Sequence, residues 1–146
     1  STDVNSHMLG LTTGRQGERP ALHTTVRFSE AQVPQNAVTA IRASATAGGS
    51  SYSAIDGTQS DGSELWVWDH TTQLGGNVGW FGASANASQA DSPGTLSFDS
   101  TALGVPRQLI DPVTGEITLM TLGNGGKDFG IVGIDYLDVT VSYVLP

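Results

Sequence analysis

Three histidines, His7, His23 and His70, are the side chains with a base's pKa near neutrality, and nucleophilic catalysis would need one of them beside a serine. No Gly-x-Ser-x-Gly elbow accompanies them, so they read as exposed or locally bonded groups. Their spacing also fits no helical or hairpin pair of zinc ligands. Glycoside cleavage would use two carboxylates at a set separation, and Glu18, Glu30, Glu64 and Glu116 are the glutamates on offer. A chain this short rarely builds the long cleft such hydrolases use, so no enzyme and no catalytic residue is expected. For calcium the candidates are Asp56, Asp61 and Glu64 in one loop, and Asp135 with Asp138 near the end. The spacing misses the calcium-loop pattern D-x-[DN]-x-[DN]-G, and these groups read as solvated turn aspartates. No metal and no cofactor is expected.

The tryptophans are the best candidates for binding. Trp66 and Trp68 stand two apart in Leu65-Trp66-Val67-Trp68-Asp69, so on a strand they share one face while Leu65 and Val67 take the other. Such a pair can stack sugar rings, fill a core, or sit in a subunit contact, where aromatic residues are enriched. Trp80, among the glycines at 75, 76, 79 and 82, is the third member of the set.

Composition narrows the partners. A net charge of -8 on a chain of 146 residues, with six scattered cations, argues against nucleic acid, because phosphate binding needs clustered Lys and Arg. Cysteine is absent, which removes disulfides and thiolate metal sites. No apolar run approaches the roughly 20 residues of a membrane helix, and the start lacks the order of a signal peptide. A Ser at position 1 fits either a translation product that has lost its initiator Met or an excised fragment. Only 14% of residues are charged, so Ser, Thr, Asn, Gln and Gly must coat the surface, as on secreted and virion proteins.

The elements that would position these residues are strands. Short alternating runs separated by Gly, Pro, Asn and Asp recur along the chain, with no amphipathic helix. The pattern predicts strands over 24–29, 38–46, 65–69, 96–98 and 116–122, a further short segment over 105–110, and one long strand or a pair over 131–144. Turns are expected at Val33-Pro34-Gln35-Asn36, at Asp111-Pro-Val-Thr-Gly and from Gly123 to Asp128. The pair Gly48-Gly49, the segment from Asp56 to Ser63 and the stretch from Ala83 to Gly94 read as loops. The fold class is all-β, a two-sheet antiparallel sandwich of jelly-roll or related Greek-key order. Residues 1–22 form a polar arm, either a strand of the domain's own sheet or a strand laid on a neighbouring copy, and residues 23–146 form one sandwich domain.

The segment Val26-Arg-Phe-Ser-Glu-Ala-Gln-Val-Pro-Gln-Asn-Ala-Val-Thr-Ala-Ile-Arg-Ala resembles the opening hairpin of secreted jelly-roll, carbohydrate-binding-like modules. Those modules carry an Arg-Phe strand, a Val/Ile-Pro-x-x-Ala turn and a strand of small and β-branched residues. The resemblance implies the fold and covers about one-seventh of the chain.

Two roles follow as expectations. The first is a non-enzymatic structural protein of an assembled particle, such as a phage capsid decoration (cement) or fibre protein, acting through contacts with copies of itself or other particle proteins. The second is an extracellular carbohydrate-binding module that uses Trp66, Trp68 or Trp80 on glycans. The corresponding location is a virion or an extracellular surface.

Overall fold

The computed structural model describes residues 2–4, 8–13, 19–27, 37–70, 79–103, 106–124 and 129–144. Among the described residues, ten strands make two antiparallel sheets: β1 (Thr2–Val4), β2 (Met8–Thr13), β3 (Ala21–Arg27), β4 (Val38–Tyr52), β5 (Gln59–Asp61), β6 (Ser63–Asp69), β7 (Gly79–Asn86), β8 (Gly94–Asp99), β9 (Glu116–Gly123) and β10 (Phe129–Tyr143). In the first sheet β4 and β10 pair along most of their length. β1 and β2 share the far edge of β10, and β5 and β8 share the far edge of β4. The second sheet runs β3-β9-β6-β7. With β1 and β5 set aside as short additions, the remaining strands switch sheets at every step but β6 to β7, which is the order of a jelly roll.

The alternation does the folding. In β6, Leu65 and Val67 are fully buried, and in β9 so are Ile117 and Leu119, with Thr121 beside them. They meet Ile41, Ala43, Ala45 and Ala47 of β4, Ile134, Leu137 and Val139 of β10, and Leu96 and Phe98 of β8. Between β8 and β9 the chain makes two short 3-10 turns, Ser100–Leu103 and Pro106–Leu109, and drops Leu109 and Ile110 into the core. The Asp111–Gly115 turn forms as expected. Asp111 Oδ1 accepts the Val113 and Thr114 amides at 2.8 and 3.1 Å, and Gly115 takes a φ of 71°.

Three loop expectations are corrected. Gly48 and Gly49 lie inside β4, opposite Gly133 and Val132. A Cβ on Gly48 would stand 1.9 Å from the Gln89 carbonyl oxygen, and one on Gly49 would stand 2.3 Å from that of Gly62. These glycines therefore mark close backbone approach to a continuous strand. The stretch after Ala83 continues as strand to Asn86 and resumes at Gly94, because an edge strand covers its sheet with small polar residues and needs little core. Within the segment from Asp56 to Ser63, Gln59–Asp61 adds a short strand to β4.

Where the sequence left the arm open, Thr2–Val4 and Met8–Thr13 pair with the chain's own β10, and β3 begins at Ala21. Pro20 is buried, accepts the Gly123 amide at 2.8 Å, and covers Gly123 and Gly130. Phe28, the turn at 33–36, the glycines at 75 and 76, and residues 125–128 of the expected turn after Gly123 lie outside the described residues.

Candidate functional site

The outer face of the second sheet carries the aromatic set. Because Leu65 and Val67 point into the core, Trp66 and Trp68 lie on the solvent side, each half-buried, with Trp80 half-buried opposite Trp68 on β7. The rings are not arranged as one flat platform. Trp68 and Trp80 meet edge to face at 5.2 Å with 79° between planes. His23 of β3 closes on Trp80 at 5.3 Å, and His70 on Trp68 at 6.4 Å, both edge-on. Trp68 also lies over Gly79, whose φ of 108° excludes a side chain, and a Cβ there would come within 2.8 Å of Trp68 Cζ3.

Trp66 is placed differently. Its indole N–H donates to Glu64 Oε2 at 2.8 Å, and its ring lies over Gly82, the directly opposed residue of β7. The other Glu64 oxygen, Oε1, holds Arg19 Nη2 at 3.0 Å, and Arg19 Nε is anchored on the Gly123 carbonyl at 2.9 Å. Partial burial pushes the Glu64 carboxyl up. The Arg19 guanidinium and the Trp66 indole outweigh it and hold the group below the usual glutamate range. Beside this ring runs a shallow groove of about 280 Å³ lined by Glu64, Trp66, Gly82, Ala83, Ser84 and Ala85. It opens at a β-bulge, since Leu65 pairs with Ser84 but Trp66 pairs with Gly82, leaving Ala83 as the extra residue.

A second groove, about 440 Å³, crosses the outer face of the first sheet between β10, β4 and β8. Arg42 Nε meets Asp99 Oδ2 at 2.8 Å there, and Thr140 Oγ1 donates to Asp138 Oδ2 at 3.2 Å. The Asp99 carboxyl is pulled down to about 2, first by the Thr101 hydroxyl and amide and then by Arg42.

The calcium candidates do not converge. Asp56 Oδ1 accepts the Thr58 amide and hydroxyl at 2.9 and 2.7 Å, Asp61 is held by Gln59 and Gln89, and Glu64 by Arg19 and Trp66. Among the described residues, no three His, Asp or Glu side chains gather as a metal site. His7, Glu18 and Glu30 lie outside the described residues. The residues that sequence reasoning missed are Arg19, Gly82 and Ser84, together with the role of Glu64. One signal was present: Glu64 and Trp66 stand two apart on a strand and so share a face.

No family model matches the chain, and no curated protein matches it. Solved structures similar to it include the cowpea mosaic virus top component, a naturally occurring empty particle, at a TM-score of 0.32 and 10% identity. That match covers 100% of this chain and 90% of the other. The cryo-EM structure of broad bean stain virus gives a TM-score of 0.32 and 10% identity over 100% of this chain and 94% of that one. The chain itself is an all-β, two-sheet antiparallel sandwich.

Proposed function

We propose that the chain is a non-enzymatic structural subunit of an assembled particle, of the capsid decoration or fibre kind, joined to copies of itself through the outer face of its first sheet. One observation carries the reading. Tyr52 of β4 and Phe129 of β10 are directly opposed in register, and 48% and 41% of their surface is exposed. Ile131 continues that face along β10, and Tyr136 follows beyond the bulge with 37% exposed. Ile55, 86% exposed, stands in the turn three residues after Tyr52. Single exposed apolar residues are ordinary, but an aromatic stripe along one strand marks a contact surface.

Charge singles out this stripe as the place where a second copy can dock. At -8 per chain, copies repel over most of their surface, and this stripe holds no ionisable side chain of its own apart from its tyrosines. Asp61, whose carboxylate accepts from Gln59 and Gln89, borders it. Light scattering across a concentration series tests the reading. The expected result is a mass that is a multiple of 15.1 kDa and that falls to one copy when Tyr52→Asp and Phe129→Asp are combined. A native mass of one copy at every concentration overturns it.

A further inference from the structure

The geometry points to a docking site for a basic segment of another protein, in the groove across β10, β4 and β8 that occupies the half of the first sheet's outer face beyond the aromatic stripe. Two rows of directly opposed residues floor that groove. Asp138 of β10, Ser44 of β4 and Ser97 of β8 make one, and Thr140, Arg42 and Asp99 make the other. Each row ends in a carboxylate, but on opposite strands, and the guanidinium of the second row serves only one of them. Arg42 Nε is spent on Asp99 at 2.8 Å, and its Nη1 reaches Ser142 Oγ at 3.4 Å, farther along β10. Asp138 receives the neutral Thr140 hydroxyl on Oδ2, while its Oδ1 is buried with no hydrogen-bond partner. Among the described residues no cation pairs with it. The first row therefore carries a negative charge that the chain leaves uncompensated, beside a groove of about 440 Å³.

Charge and lining together select the occupant. Two carboxylates against one guanidinium leave the groove negative, which disfavours anions. No exposed ring lines it, since Phe98 is turned into the core, so flat ligands gain no stacking. A bare metal ion would need more charged ligands, and among the described residues no third His, Asp or Glu joins these two. A lysine or arginine fits, because its N–H groups donate while the Asp138 carboxylate and the exposed Ser44 and Ser97 hydroxyls accept. A second copy is the poorer donor. Of the described arginines, Arg19 is held by Glu64, Arg42 by Asp99 and Arg27 by the Thr114 carbonyl, and each copy brings a charge of -8. One such pair in an open groove is weak and salt-sensitive, so lasting attachment needs several basic residues in the segment or several copies of this chain side by side.

The test titrates the full chain with acetylated tetralysine amide and tetra-arginine amide, following the Ser44, Ser97 and Thr140 amides by NMR, with tetraglutamate and tetraserine as controls. The expected result is a saturable shift at these amides with the basic peptides alone, shrinking as salt is added. Asp138→Asn keeps an acceptor for Thr140 and should weaken binding by about fivefold or more. Asp91→Asn removes an equal charge from an exposed loop and should change binding by less than about twofold. Ser44→Ile sets a β-branched side chain on the strand between Asp138 and Ser97, and should abolish binding while the far-ultraviolet dichroism stays native. The proposal fails if neither basic peptide shifts these amides, if a control peptide shifts them as well, if Asp138→Asn and Asp91→Asn weaken binding equally, or if Ser44→Ile binds as the native chain does. Light scattering on the same samples reads the aromatic stripe separately: a single copy at every concentration overturns self-assembly and leaves the peptide site standing.

Discussion

The two outer faces of this sandwich carry aromatic residues by the same alternation but treat them in opposite ways, and the glycines of the neighbouring strand make the difference. On the second sheet, β7 offers glycine at 79 and 82, so Trp68 and Trp66 fold down across the neighbouring strand and are half-buried. On the first sheet, Tyr52 faces Phe129, two rings of similar size directly opposed. They stay 48% and 41% exposed. Trp68 and Trp80 are directly opposed just as Tyr52 and Phe129 are, so the glycines of β7 beneath the tryptophans and the edge-on contacts of His23 and His70 seal the one face, while the other stays open for a partner.

The contrast breaks most severely at Gly79. Alanine there must adopt a φ of 108° and place its Cβ within 2.8 Å of Trp68. Strain and overpacking together should cost about 2–4 kcal/mol, read as a lower urea midpoint at unchanged slope. Gly82→Ala, with ordinary backbone and a contact of 3.3 Å, should cost well under half as much. Equal losses at the two positions would show that the sealing of Trp68 does not depend on the backbone conformation of Gly79.

The Trp68–Trp80 contact is next in size. A double-mutant cycle with Trp68→Ala and Trp80→Ala should return a coupling of about 0.5–1.5 kcal/mol, the usual range for an edge-to-face pair. The corresponding cycle for Tyr52 and Phe129 should give less in the isolated chain, because both rings remain largely in water. Phe129→Ser itself should change the stability of one copy by only about 0.5 kcal/mol. Its effect should appear in the solution mass instead. A large loss of stability with unchanged mass would reverse the assignment of the two faces.

Much of this architecture was legible in the sequence, and the reasons differ by residue. Leu65 and Val67, and Ile117, Leu119 and Thr121, fall at every second position between polar neighbours, so their burial follows from the pleat alone. The same period placed Trp66 and Trp68 on one face but could not say which, since both alternating sets of β6 are apolar. Gly48 and Gly49 were illegible because glycine serves both loops and close backbone approach. The deciding atoms, the carbonyls of Gln89 and Gly62, come from segments 13 or more positions away. Arg19 was likewise hidden, standing 45 positions before Glu64 and reaching it only because β3 and β6 both flank β9. Where a role rests on local period the sequence suffices, and where it rests on a contact across the sheet it does not.

Acid gives the smallest effect and the finest distinction between the faces. Asp99, on the first sheet, titrates at about 2 when folded against an ordinary value of 3.8. Its folded value lies below its unfolded one, so its contribution to stability is present above about 4 and disappears as pH falls through 2. Glu64, on the second sheet, is also lowered, but by less than its hydrogen bonds alone would give, because partial burial opposes them. A carbon-detected NMR titration should find the Asp99 midpoint at about 2 and that of Glu64 below the usual glutamate range. The Thr101 hydroxyl is the largest cause at Asp99 and Arg42 a lesser one, so Thr101→Val should raise its midpoint more than Arg42→Gln. If Arg42→Gln has the greater effect, the ion pair rather than the Asp99–Thr101 turn holds this carboxylate, and the polar groove owes its charge pattern to a salt-sensitive contact.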